Sequence, residues 1–366
     1  MSAIAVDVIN DYATFVALEQ KWNETVDRAE LTHPFLRHEW LRTWWDSFGQ
    51  GRMLNIVVVR AGNRILGLAP LMLERAKMYG IGVRRVQFLH NDHTPKADVV
   101  VVDRADEVYE ALWKTLQSPS APWDVLQLSQ LPCDSPTHAQ IARLSARHKH
   151  PTALWLSDDS PYLELSSNWN TYLGGLGSKL KQNIRNRISR LTKLGEPSLQ
   201  VLSDHDAIRE ARDQALTLEA SGWKRDAGTA IRSDPQVLQF YTQLADRAAT
   251  SGWLRLLFLT VNGQRIAASY AARYQDRLSF FKTGYDPEFS KYAPFKLLTY
   301  YSIRDGYGDG LREVDFLGDA EPWKLEWTTT TRPHDWLFVF GNTARGRLVH
   351  AAKCRVLPTI KRWLRR

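Results

Sequence analysis

Residues Trp253–Tyr285 read WLRLLFLTVNGQRIAASYAARYQDRLSFFKTGY, and this stretch decides the fold class. WLRLLFLTV and RIAASYAARY are apolar runs separated by Asn262-Gly263, a tight-turn pair. A second turn at Gln275-Asp276 leads into RLSFFKTGY, so three strands follow one another as hairpins. Helical spacing surrounds them. Helices are expected at about 178–194, 204–221 and 235–250, and again from about Phe295 to Gly306. The short strand EVDFLG and a last strand near WLFVFG close this half. Strands interleaved with helices in this way give a mixed α/β layer fold, a mixed sheet with flanking helices.

The first half follows the same plan. Phe15, Leu18, Trp22 and Val26 recur at helical spacing over 11–27, and a second aromatic helix runs from Trp40 to Phe48 before Gly49 and Gly51. LNIVVVRA, a Gly62-Asn63 turn and RILGLAPLML form a hairpin, and VQFLH and ADVVVV add strands on either side of HNDHTPK. A helix at 104–117, the strand VLQLS, a helix at 136–148 and the strand ALWLS complete it. No letter-level repeat links the halves, so the expectation is a structural duplication. Asp, Ser and Pro cluster over Ser157–Ser167, which sets the expected domains at 1–165 and 166–342, with 343–366 as a tail.

Composition narrows the function classes. At 366 residues, 44% hydrophobic and 24% charged, the chain has the composition of a two-domain globular protein, and disorder, collagen and coiled coil are excluded. No apolar run approaches the roughly 18 residues of a membrane-spanning helix. Asp7 and Asp11 stand where a signal peptide would be basic and then apolar. Cys133 and Cys354 cannot form a disulfide framework, and neither has a partner at zinc spacing. These features point to the reducing cytoplasm. The net charge of +8 is local: Arg345, Arg347, Lys353, Arg355, Lys361, Arg362, Arg365 and Arg366 follow the last acidic residue, Asp335, and the remainder is neutral. The basic balance therefore does not mark a nucleic-acid-binding protein throughout.

Four stretches carry candidate chemistry. KYAPFKLL places Pro294 at the start of a helix, with Lys291 and Lys296 beside it. Free amides and the dipole at such a start suit a pyrophosphate, although a plain loop-to-helix junction has the same letters. EVDFLGDAEPWKLEW puts Asp315 inside an apolar strand, followed by Glu321, Trp323 and Lys324. The alternatives are a ligand-facing group or a structural Asp315–Lys324 ion pair. In LEASGWKRDAGTAI, Glu219 ends a helix and Trp223-Lys224 enters a loop, which fits either a lid or a solvated loop. SKLKQNIRNRISRLTKLG is a basic amphipathic helix whose Arg187 intrudes on the apolar edge. It would face RNA or acidic lipid, or simply solvent. His90 and His93 would touch substrate or cap a turn, and no H-E-x-x-H or Gly-x-Ser-x-Gly motif occurs.

FLRHEWLRTWWDSFG, GLAPLML, SKLKQNIRNRISRLTKLG, GWKRDAGTAI, APFKLL and EVDFLGDAEPWK occur in the order seen in CelD-type acyltransferases, and the chain resembles that group from about residue 30 to 340. The group is associated with cellulose and exopolysaccharide biosynthesis and belongs to the acyl-CoA N-acyltransferase (GNAT) superfamily. It is related to the Fem-type transferases. The resemblance implies two tandem GNAT-like domains, the second holding the donor and the first walling the acceptor cleft. It makes Lys291, Tyr292, Ala293, Pro294, Phe295 and Lys296 the pyrophosphate loop, although Ala293, Pro294 and Phe295 stand where small glycines often sit. Asp315, Gly318 and Lys324 match the family's D-F-x-G…K ending, and Trp223-Lys224 its mid-chain W-K. Trp323 and Lys324, with Trp223 and Lys224, would then meet substrate.

The expected reaction is transfer of an acyl group from acyl-CoA to an amine of an envelope, polysaccharide or lipid-type acceptor, without a metal. Backbone amides around Lys282–Tyr285 would hold the thioester carbonyl. Glu219, Asp315 and Glu321 are candidate bases, and Tyr285 or Tyr292 a proton donor to the leaving thiolate. Two alternatives stand beside it: an aminoacyl-tRNA donor, as in the Fem-type relatives, and a non-catalytic scaffold in envelope assembly. On a helical wheel, Leu348, Val349, Ala352, Val356, Leu357, Ile360, Trp363 and Leu364 share one half of the tail and most of its basic residues the other; Lys353 is the exception. Such a tail suits the surface of an anionic membrane, peripherally on its inner face, or packing onto the protein.

Overall fold

The computed structural model describes residues 2–119, 122–221 and 228–356. Trp223, Lys224 and the tail beyond 356 lie outside the described residues. The chain forms two compact units. Unit one comprises Met1–Leu31, Phe35–Asp158 and Pro333–Arg366, and unit two Thr32–Pro34 and Asp159–Arg332.

Unit one begins with β1 (Ile4–Ile9), α1 (Tyr12–Ala17), α2 (Glu19–Arg28) and α3 (His38–Phe48). It continues through β2 (Met53–Leu54), β3 (Ile56–Ala61), β4 (Arg64–Ala69), β5 (Leu71–Met78), β6 (Ile81–Phe88) and β7 (Val100–Val101). After α4 (Ala105–Leu116), β8 (Val125–Pro132) and α5 (Pro136–Arg147), the chain enters unit two within β9 (Thr152–Glu164). Unit two adds α6 (Trp169–Gly175), α7 (Ser178–Leu191), β10 (Pro197–Leu202), α8 (His205–Glu219) and α9 (Pro235–Thr250). Then come β11 (Leu254–Val261), β12 (Gln264–Tyr274), β13 (Arg277–Tyr285), α10 (Pro294–Gly308), β14 (Glu313–Asp315) and α11 (Pro322–Leu325). β15 (Thr331–Phe340) and α12 (Ala344–Ala351) return the chain to unit one.

Unit one holds a sheet ordered β1-β3-β4-β7 and the run β15-β8-β6-β5-β2; unit two holds the run β10-β11-β12-β13-β14-β9. Each unit contains a parallel pair among its described residues, β6–β8 and β13–β14, connected through α4 and α10 respectively. Residues 333–342, assigned on sequence to the second domain, cluster with unit one because β15 pairs antiparallel with β8 from His334–Pro132 to Phe340–Val125. In unit two, Leu257, Leu259, Ala267 and Phe280 of the sheet meet Leu180 and Ile184 of α7 and Leu297 and Leu298 of α10. The basic helix thus packs by its apolar stripe and turns Lys179, Arg185 and Arg190 to solvent.

β1, β10 and α6 are additions to the sequence reading. β10 is an edge strand of six residues with Val201 half exposed. The helix expected over 11–27 divides at Leu18, which closes α1 and opens α2. In the tail, Val349 and Lys353 are buried and Leu348 is exposed. The Lys353 ammonium lies 4.2 Å from the centre of the Trp155 ring and 3.8 Å from that of Phe338. Burial holds its pKa below the usual lysine value, and the aromatic faces favour the cation. Its place on the apolar half of the wheel follows. Among the described residues no helix is long and apolar enough to cross a membrane.

Candidate active site

β13 runs on after its parallel partner has ended. Arg277, Leu278 and Ser279 face Glu313, Val314 and Asp315, whereas β13 continues to Tyr285. On its other edge the register with β12 shifts: Tyr270 opposes Lys282 and Ala271 opposes Phe280, leaving Phe281 as a bulge. A bulge bends its strand and increases the local twist, and this one falls where the β14 ladder stops.

Gly284 lies in the bent segment. A Cβ there would stand 2.3 Å from both the Glu219 Cα and the Leu218 carbonyl oxygen, so only glycine allows β13 this close to the end of α8. Glu219 is 2% exposed and accepts the Ile231 amide at 2.9 Å. Tyr241 of α9 and Tyr270 of β12 meet edge to face, with ring centres 5.8 Å apart. The Lys282 ammonium lies 5.7 Å from the centre of the Tyr241 ring. Burial pushes both phenols above their ordinary pKa, and the charge of Glu219 adds to the rise. The Tyr270 hydroxyl is buried without a hydrogen-bond partner among the described residues.

The second part of the site is the start of α10. Asp286 caps the preceding 3-10 turn by accepting the Glu288 amide at 3.0 Å. Ala293 takes a left-handed conformation, φ 48°, and α10 opens at Pro294 with no side-chain cap and no acid in its first turn. The Leu297 amide bonds back to the Ala293 carbonyl. The amides of Phe295 and Lys296 precede it, at the positive end of the helix dipole. Lys296 pairs with Glu326, and the Lys291 ammonium lies 5.2 Å from the centre of the Tyr292 ring. Arg187 of α7 donates to the Lys291 carbonyl, which accounts for its place on the apolar edge of that helix. Tyr285 and Phe295 pack against the core beneath α10, and Tyr292 belongs to it.

The ending of β14 differs from both alternatives offered by the sequence. Asp315 is 2% exposed; it accepts the Leu317 amide at 2.9 Å and the Ser160 hydroxyl at 3.5 Å, and pairs with Arg332 at 3.4 Å. Arg332 and Arg277 also hold Glu313, at 3.1 and 2.8 Å. Lys324 instead donates to the carbonyls of Leu317 and Asp319 at 2.7 and 2.8 Å and pairs with Glu321 at 3.2 Å. The left-handed pair Leu317 and Gly318 turns those carbonyls toward the ammonium. Asp315 and Lys324 are therefore fixed by separate partners. Glu321 is exposed and also accepts the Trp323 indole N–H at 3.0 Å. Trp323 meets Phe295 edge to face at 5.0 Å and Phe316 at 6.1 Å, joining the end of β14 to the start of α10.

The structure thus brings Glu219, Lys282 and the end of β13 together, and separately gathers Lys291–Lys296 with Arg187. Sequence reasoning missed Tyr241, Tyr270 and the approach at Gly284. The last had a signal, since an isolated glycine inside a strand pattern often marks close backbone contact.

Residues 178–325, most of unit two, match the family model described as an acetyltransferase (GNAT) domain. No curated protein matches the sequence. Among solved structures, FemX is similar with a TM-score of 0.60 at 9% identity, covering 95% of this chain and 99% of FemX. A conserved protein of unknown function from Bacteroides thetaiotaomicron gives 0.57 at 13% identity, covering 92% of this chain and 100% of the other. The C-terminal domain of a protein described as a lysylphosphatidylglycerol synthetase from Agrobacterium fabrum gives 0.53 at 10%, covering 90% and 95%. At these identities the likeness is one of fold.

Proposed function

We propose that unit two transfers an acyl group from acyl-CoA to the amine of a small-molecule or lipid-linked acceptor. The observation that carries this reading is the end of β13, bent by its bulge beyond the last β14 pair and pressed by Gly284 against Glu219. The GNAT acetyltransferase match over 178–325 supports a thioester donor.

In this reading Glu219, directly or through water, takes a proton from the acceptor ammonium. The freed nitrogen lone pair attacks the thioester carbonyl carbon and forms the C–N bond. Backbone amides of the Lys282–Tyr285 segment stabilise the oxyanion. The C–S bond then breaks, and the thiolate leaves with a proton from Tyr285 or Tyr292. The start of α10, with Lys291, Lys296 and Arg187, receives the donor's phosphates at its free amides. Asp315, Glu321 and Lys324 hold the turn after β14, and Trp323 braces it against Phe295. The tail beyond the described residues adds cations toward an anionic membrane surface carrying a lipid-linked acceptor.

Thermal unfolding with acyl-CoAs, free CoA and tRNA tests the donor, since a ligand bound by the native state raises stability. Acyl-CoA is expected to raise the midpoint. A response to tRNA alone points to an aminoacyl-tRNA donor, and none to a non-catalytic scaffold. Glu219→Gln keeps an oxygen for the Ile231 amide, so turnover should fall by about 10²–10³ with stability nearly unchanged.

A further inference from the structure

In unit one, Arg75 of β5 stands directly opposite Arg84 of β6. Like charges in that position destabilise a sheet unless something answers them. Arg84 is answered: its Nε and one terminal nitrogen bond the two Asp124 oxygens at 3.2 and 3.1 Å. Asp124 also accepts the Thr343 hydroxyl at 2.7 Å, which anchors the start of α12. Gly346 seats that helix tightly, since a Cβ there would come within 2.3 Å of the Gly341 carbonyl oxygen and 2.7 Å of that of Asp124. Arg345 is thereby carried to the same place. Arg75 and Arg345 have no ion pair or hydrogen bond to any described residue.

Arg75, Arg84 and Arg345, with Ala76, Gly82 and Val83, line a cleft of about 340 Å3. Among the described residues no acidic side chain lines it. Three guanidiniums against the single carboxylate of Asp124 leave two positive charges over. We propose that this cleft binds a phosphate group. A phosphate monoester dianion matches the surplus in charge and a phosphodiester headgroup answers one of its two charges, and either offers several acceptor oxygens to planar guanidinium donors approaching from three chain segments. The group would come from a soluble phosphate compound or from the headgroup of an anionic lipid. Leu348, one turn after Arg345 on α12, is 57% exposed, which puts apolar surface on the same helix as the arginine.

The test uses the full chain, the Arg75→Gln/Arg345→Gln variant, and a Lys291→Ala/Lys296→Ala variant altered only in unit two. Arg84 is left in place because its loss would strand Asp124. One arm measures thermal stabilisation by inorganic phosphate against chloride at equal ionic strength. The other measures flotation with phosphatidylglycerol vesicles against phosphatidylcholine vesicles. The expected result is a response in the full chain that the Lys291/Lys296 variant retains and the arginine variant loses, with affinity about tenfold weaker per arginine removed. Response to phosphate without vesicle binding identifies a soluble source, and phosphatidylglycerol binding lost with the two arginines identifies a lipid. Equal responses from the full chain and the arginine variant, loss in the Lys291/Lys296 variant instead, or no response in either arm would overturn the proposal.

Discussion

The crossover from β6 to β8 through α4 and that from β13 to β14 through α10 invite direct comparison. Each parallel pair registers over three residues, Arg85–Gln87 with Val125–Gln127 and Arg277–Ser279 with Glu313–Asp315. Each helix opens from a left-handed residue, Arg104 at φ 53° and Ala293 at φ 48°. From there they diverge. The first turn of α4 carries Asp106 and Glu107, and Glu107 is tied to Arg104, so carboxylates already occupy the positive end of that dipole. The first turn of α10 has none. Around the unit-one pair, Gln87 bonds Glu74 at 2.8 Å, Arg85 bonds Gln127 at 2.9 Å and Gln127 bonds Ser129 at 2.9 Å. The β5–β6 register there is unbroken, whereas β13 bulges at Phe281 and its Phe280 stacks on Phe316, which in turn meets Trp323. One crossover covers its helix start with carboxylates; the other has a helix start without them beside a strand that bulges past its parallel partner.

Removing the close approach should break that difference most severely. Gly284→Ala places a methyl group 2.3 Å from backbone atoms of Leu218 and Glu219, which side-chain rotation cannot relieve. A cost of about 1–3 kcal/mol in stability is expected, together with a loss of turnover greater than that of Glu219→Gln, because both β13 and the carboxylate shift. Denaturant unfolding and steady-state assays would show both. Wild-type turnover in a folded Gly284→Ala protein would end the assignment of this segment. Next in size is Lys296→Glu, which gives α10 the acid that α4 already has. Donor KM should rise about tenfold with kcat little changed, because the change acts on a part of the donor remote from the reacting carbon. An unchanged KM would remove the helix start from the donor site.

How far these features were legible in the sequence depended on whether their cause was local. The hairpins of 253–285 could be read because apolar runs and turn pairs alternate, and the α10 start because Pro294 sits at the first helical position. The partner of Asp315 could not. Lys324 was nearer in sequence, but Arg332 reaches the carboxylate because its guanidinium also serves Glu313 and lies 4.1 Å from the centre of the Tyr162 ring. Tyr241 and Tyr270 come from different elements and meet Glu219 only once α8 and α9 pack on the sheet. The edge strands β1 and β10, six residues each, escaped because no turn pair of the Asn-Gly kind marks them as partners of a neighbouring strand.

In the wild-type protein the smallest expected effect is the pH dependence that separates the two crossovers. The unit-one connection carries two titrating groups, the half-buried Asp98 and the buried His90, where unit two has the loop opening α10. Burial pushes the Asp98 carboxyl up to about 6, against hydrogen bonds from Ser135, Thr137 and Val99. Burial, and then the charge of Arg85, lowers the pKa of His90 to about 4. Because Asp98 binds its proton more tightly in the folded state, its contribution to stability is lost as pH rises from about 4 to 6. His90 binds its proton less tightly when folded, so its contribution is lost as pH falls from 6.5 to about 4. The two oppose each other over nearly the same window and leave the wild-type profile nearly flat there. Asp98→Asn should uncover the histidine, giving stability that rises by up to about 3 kcal/mol between pH 4 and 6.5, while His90→Gln should give the opposite slope. Urea unfolding at several pH values reads both slopes. Parallel profiles for wild type and both variants would show that neither group titrates within the folded unit.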